Sequence, residues 1–223
     1  MAKDGLILVL DMDQTIIDSD PFFRTPPLNA SRIPEYLNMN VVNILLRAAK
    51  LRPKKVKAIF LLTNNSDTQF VASVDSAILD LSKGSVGKYN TSESRDPDAK
   101  KMPQKPYFFD DIFTINHSMR KTKIAGISHG IKDIHTVLQM IHTIDPGYHS
   151  DLMKNLFFFD DLPQHKLHEE FINSLGGKYK DHYITIRPPY KKEFEDKTDY
   201  RPILKTLAKL ENKRKTRKIK RIY

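Results

Sequence analysis

The sequence predicts an α/β fold, a three-layer sandwich around a mostly parallel five-stranded sheet. Three observations lead there. Five short apolar segments read as strands buried on both faces. Stripes of helical period lie between them, as the crossovers of a parallel sheet require. Two of the apolar segments end in acidic pairs, and the carboxyl ends of strands are where an open, Rossmann-like parallel sheet binds its ligands.

The first strand is Leu6–Leu10, which runs directly into Asp11-Met12-Asp13-Gln14-Thr15. A proline-rich, irregular stretch follows over 19–34, with Pro21, Pro26, Pro27 and Pro34. Val42, Leu45, Leu46 and Ala49 then mark a helix. The second strand, Val56–Leu62, ends in Thr63-Asn64-Asn65-Ser66, before a helix that starts near Asp67 and carries the stripe Phe70, Val74, Ala77, Ile78 and Leu81. Residues 82–106 contain Gly84, Gly87 and many charges without apolar periodicity, and read as a long polar loop or flap.

A third strand is expected over 112–115, preceded by Asp110 and Asp111, which read as solvated turn residues. Ile134, Val137, Leu138 and Ile141 mark the next helix, Leu156–Phe159 the fourth strand and Tyr183–Ile186 the fifth. Ile203, Leu207 and Leu210 define a last helix whose apolar face fades into KLENKRKTRKIKRIY. The expected organisation is one domain over 1–208 and a basic tail over 209–223, frayed beyond about Asn212.

A chain of 223 residues with 39% hydrophobic content can close a core around a site. With no cysteine, disulfides, thiol nucleophiles and cysteine-bound zinc are excluded. The apolar run before Asp11 is too short for a signal peptide or a bilayer span, so an intracellular protein, cytoplasmic or nuclear and without a membrane partner, is expected. Of the net charge of +10, residues 209–223 hold +7, from eight Lys/Arg and one Glu. That run suits nucleic acid, an acidic protein or a nuclear localisation signal. His165 and His168 lack further ligands at zinc spacing and read as surface histidines.

The chemistry is expected from the acids. Asp11 and Asp13, two apart, face one pocket if the strand geometry persists. Two close carboxylates repel unless a cation intervenes, and hard Mg²⁺ takes oxygen ligands. Such a pair also serves simply to cap the following turn, and the spacing alone admits that reading. Thr63 sits where a hydroxyl and free N–H groups at a helix start hold a phosphate oxygen, although a plain cap by Asn65 or Ser66 fits equally. Asp160 and Asp161 end the fourth strand as a candidate outer metal anchor. A balancing cation is needed; Lys132 precedes a helix one unit upstream of Asp160, and Lys121 and Lys123 compete with it.

These stations, in this order over about residues 6–165, resemble the haloacid dehalogenase superfamily: DMDQT its first motif, LLTNN its second, Lys132 its third and FFFDDLPQ its fourth. GIKDIHTVL and DDLPQHKL are similar to segments of carboxy-terminal-domain-type protein phosphatases. The resemblance implies a Mg²⁺-dependent phosphatase that forms an aspartyl-phosphate, with Asp11 as nucleophile and Asp13 as acid/base. It further implies Thr63 and Asn64 with Lys132 at the phosphate, and Asp11, Asp13, Asp160 and Asp161 at the metal. Gln14 departs from the small or acidic residue usual before the threonine. The short segment between the first two motifs leaves no room for a large cap domain, which by analogy implies a macromolecular substrate such as a phosphoprotein, with nucleic-acid ends as the alternative. A non-catalytic nucleic-acid-binding module on the same fold is the further alternative.

Overall fold

The structure, a computed structural model, describes residues 5–87, 106–114, 121–124, 127–130, 132–148, 152–162, 166–173 and 177–219. Five parallel strands form its sheet: β1 (Leu6–Leu10), β2 (Val56–Leu62), β3 (Asp111–Phe113), β6 (Leu156–Asp160) and β7 (Tyr183–Thr185). Their order is β3-β2-β1-β6-β7. The chain therefore winds outward from β1 through β2 to β3, returns to the far side of β1, and winds outward again.

That reversal sends the helices to opposite faces, because right-handed crossovers in opposite directions cover opposite sides. Helices α2 (Met39–Ala49), α3 (Thr68–Leu81) and α7 (Arg201–Ile219) supply Leu45, Ile78 and Leu207 to a core with Leu8, Leu61 and Phe159. On the other face α4 (Ile134–Ile144), α5 (Leu152–Asn155) and α6 (Lys166–Asn173) supply Val137, Leu152 and Phe171 to a core with Val9, Phe60 and Phe158. Alternate residues of each strand thus serve alternate layers, as a two-residue side-chain period demands. The result is a Rossmann-like three-layer sandwich. Among the described residues, no helix is long and apolar enough to cross a membrane.

Several expectations are corrected. The third strand lies at Asp111–Phe113, and Ile115 is outside the described residues. Asp110 and Asp111 are not solvated: both are buried. Asp110 accepts hydrogen bonds from Ile59 N (2.8 Å) and Arg52 Nη1 (3.2 Å), and Asp111 accepts from Thr143 Oγ1 (2.7 Å). They tie the N-terminal end of β3 to its neighbours, at the opposite end of the sheet from Asp11. The fifth strand stops at Thr185, although Ile186 N still donates to Asp160 O.

The proline-rich 19–34 segment contains the short helix α1 (Asp20–Phe23), and a 3-10 turn at Ala30–Tyr36 follows. Of the 82–106 loop, 88–105 lie outside the described residues. Its entry folds back on the chain, where a Cβ at Gly87 would stand 2.1 Å from Phe109 O. A small antiparallel pair, β4 (Lys121–Ile124) with β5 (Ile127–Gly130), precedes α4. The boundary drawn at 208 falls inside α7, whose backbone stays helical to Ile219, past the fraying expected at Asn212. Arg47 pairs with Glu211, and Lys55 Nζ donates to Leu210 O, so α7 is fastened to the domain beyond that boundary.

Candidate active site

β1 and β6 are adjacent, and their carboxyl ends form the point at which strand order reverses. Asp11 N donates to Phe159 O (2.9 Å), which fixes Asp11 beside Asp160. Beyond Asp11 the chain closes a tight loop. Ile16 N donates to Met12 O (2.8 Å), and Gln14 adopts a left-handed φ of 51° while its N–H donates to Ile17 O. Gln14 Nε2 donates to Asp20 Oδ1 (2.8 Å), and Tyr190 N donates to Gln14 O. Gln14 therefore anchors this turn.

Lys132 immediately precedes α4, whose start is fixed by Asp133: its carboxylate accepts from Thr136 N at 2.8 Å. Glu170 of α6 accepts from Ile134 N (2.7 Å) and holds that helix end against the sheet. From there the Lys132 ammonium reaches 3.0 Å from Asp11 Oδ1 and 3.1 Å from Asp160 Oδ2. All three side chains are withdrawn from water. Lys132 thus pairs with both acids, while Lys121 and Lys123 lie in β4, of whose side chains nothing is described.

Asp11, Asp160 and Asp161 each bring a carboxylate oxygen within 4.8 Å of the others, a group that could hold a metal ion. Asp160 Oδ1 also accepts from Leu162 N (3.0 Å). With Asp13 nearby, four carboxylates gather where one lysine pairs with two of them, Asp11 and Asp160. Burial, reinforced by Asp160 and Asp13 and opposed by Lys132, pushes Asp11 up to about 7. Burial and the Asp160 charge push Asp161 up to about 6. Burial opposes the Lys132 charge, but the flanking carboxylates of Asp11 and Asp160 prevail and hold its ammonium above the ordinary lysine value. The site carries more negative charge than its own lysine offsets, and its oxygen-only donors suit a hard cation.

Asp13 stands outside the three-carboxylate group. Asn65 Nδ2 reaches both of its oxygens, each at 3.3 Å. Thr63 is buried at the end of β2, where its hydroxyl oxygen accepts from Asn65 N (3.0 Å). Asn64 is exposed on the same loop, and Asn65 is an amide that reaches Asp13. Nor do Asn65 or Ser66 cap α3. Asp67 does, accepting from Gln69 N and Phe70 N at 3.0 Å each.

Two further residues border the site without having been expected there. Tyr183 donates to Leu162 O (3.1 Å), and its phenol is pushed far above the ordinary range, first by burial and then by Asp160. His168 packs edge-on against Tyr183 with ring centroids 4.8 Å apart, so it is not a free surface histidine; His165 is outside the described residues. A strap after β7 closes over the first loop: Tyr190 OH donates to Leu37 O (3.0 Å) and Lys192 N to Asp18 Oδ2 (3.2 Å).

No protein-family model matches the chain, and comparison with curated proteins and with solved structures returns no match.

Proposed function

We propose that the chain is a Mg²⁺-dependent phosphohydrolase of the haloacid dehalogenase type that works through an aspartyl-phosphate on Asp11. One observation carries this reading: Asp11, Asp160 and Asp161 come together at the switch point of the sheet, where Lys132 pairs with Asp11 and Asp160 and Asp13 stands nearby. A structural ion pair needs one acid per lysine, and this site has a surplus.

Asp11, Asp160 and Asp161 would hold Mg²⁺, which when bound offsets the charge of the phosphate and of the acids around it. Lys132 opposes the effect of burial on the Asp11 carboxylate and fixes its direction. An Asp11 oxygen attacks phosphorus, and the bond from phosphorus to the leaving oxygen breaks as Asp13 donates a proton to that oxygen. Asp13, now a carboxylate, takes a proton from water; the water oxygen attacks phosphorus, releases phosphate and restores Asp11. Asn65 positions Asp13 for both transfers. The Thr63 hydroxyl and the loop before α3 receive the phosphate oxygens.

The β1–β2 crossover contains only α1, a 3-10 turn and α2, with no inserted domain above the site. By analogy that favours a phosphate monoester on a macromolecule, a phosphoprotein first. The test is hydrolysis of an aryl phosphate with and without Mg²⁺, for the natural chain and for Asp11→Asn. Turnover that needs both Mg²⁺ and Asp11 supports the reading; turnover that survives either loss, or none across several phosphoesters, overturns it.

A further inference from the structure

At the β7 edge of the sheet a cavity of about 1020 Å³ lies between β7, the 3-10 turn at Lys180–His182, the strap after β7 and the first turns of α7. Its lining includes Lys178, Lys180, Arg187, Lys197, Arg201 and Lys205. Its acids are Asp181 and Asp199, and Asp199 is engaged by Arg201 at 2.7 Å. Among the described residues no carboxylate pairs with Lys180, Arg187, Lys197 or Lys205, and all four are exposed. Cations drawn from separate elements into one concavity repel each other and focus a positive potential there, which invites a polyanion.

The fold holds these charges in place. Lys197 N donates to Arg187 O (2.8 Å), and Arg187 N donates to Thr198 Oγ1 (2.9 Å). The same bonds occupy the backbone edge at Arg187, and Tyr183 N is likewise taken, by Lys180 O. The apolar floor, Phe157 and Ile184, is buried and presents no anchor pocket. What the groove offers is chiefly positive charge, with the hydroxyl-bearing Thr185, Thr198 and Thr206 in its lining, and a phosphodiester backbone is recognised through such groups. One end of it adjoins the site, since Thr185 is the register partner of Asp160. At the other, α7 continues as a helix into the basic run.

We infer that this groove is a binding site for the sugar-phosphate backbone of a polynucleotide, independent of sequence. It does not depend on the phosphatase reading, because it concerns binding and not turnover. The probe is a fluorescein-labelled single-stranded oligonucleotide of mixed sequence without a terminal phosphate, followed by anisotropy with the full chain at several salt concentrations. Lys180→Glu, Lys197→Glu and Lys205→Glu combined should weaken binding at least tenfold at about 0.1 M salt and lower the salt slope by about 2, with far-UV circular dichroism unchanged. Asp11→Asn should bind like the natural chain. Undiminished binding by the triple variant would overturn the inference. So would loss of binding only on reversing Lys213, Lys215 and Lys218, or tighter binding of an acidic phosphoserine peptide than of the oligonucleotide.

Discussion

Lys132 Nζ stands 3.0 Å from Asp11 Oδ1, and the two groups are withdrawn from water together. The same ammonium is 3.1 Å from Asp160 Oδ2, so one buried cation serves two buried acids. Removing it leaves both uncompensated. Lys132→Met should destabilise the metal-free protein by about 3–5 kcal/mol in urea unfolding near pH 8. The loss should shrink on acidification, as the acids protonate, and on adding Mg²⁺, which stabilises the folded state by mass action. A variant as stable as the natural chain would show that Lys132 does not compensate these acids.

The raised acids link metal binding to pH. Asp11 moves from 3.8 up to about 7, so between those values the folded protein holds a proton that the unfolded chain has released. In the metal-free protein this group therefore opposes folding increasingly as pH rises from about 4 through about 7. Asp161, pushed up to about 6, acts in the same direction. Mg²⁺ must displace these protons, so its affinity should rise with pH to about 7 and then level off. Calorimetry in two buffers of different ionisation enthalpy would detect the released protons; an affinity flat across this range contradicts the account.

The two Phe-Phe-Asp-Asp strings should separate cleanly. Asp110 accepts Ile59 N and Arg52, so Asp110→Ala strands a buried guanidinium and an amide. We expect a loss of about 3 kcal/mol with Mg²⁺ affinity unchanged. Asp161→Ala should do the reverse, weakening Mg²⁺ with little loss of stability, since it removes one of several repelling acids. Titrating Mg²⁺ into both variants and melting both decides the matter.

Much of this site was legible from residues alone. β1 and β2 match their expected bounds because strands buried on both faces appear as unbroken apolar runs. Asp11, Lys132, Asp160 and Asp161 were legible because acids at strand ends and a lysine at a helix start are local signals that the topology then gathers. What escaped depends on distant partners. The Asn65 contact with Asp13 is set by the β1–β2 pairing, and Asn65 differs from Asn64 in no way visible before folding. Asp110 looked solvated because its partner Arg52 lies in another crossover. Asp75, inside α3, caps Phe108 N and Phe109 N across the core, and Lys57 of β2 is buried against Asp145 and Tyr148. Neither pairing has a signature in the local pattern.

The end of the domain is also testable. Truncation after Ala208 removes Leu210, which packs against the core, together with the Arg47–Glu211 pair. It should cost about 1–2 kcal/mol, mostly from the leucine, because a half-exposed ion pair contributes little. Truncation after Asn212 keeps both and should melt like the full chain. Equal melting of the two shortened forms would place the structural boundary at 208 after all.

The central claim is that Asp11 carries the phosphoryl group. Asp13→Asn should slow water attack while an aryl phosphate, whose leaving group needs little acid help, still loads the enzyme. Acid quenching of this variant with ³²P-labelled aryl phosphate and Mg²⁺, followed by peptide mapping, is the most direct measurement. The account predicts a hydroxylamine-labile label on the peptide containing Asp11, absent from the Asp11→Asn, Asp13→Asn double variant. Label on any other residue, or sustained turnover by the natural chain with no label in any form, would contradict it.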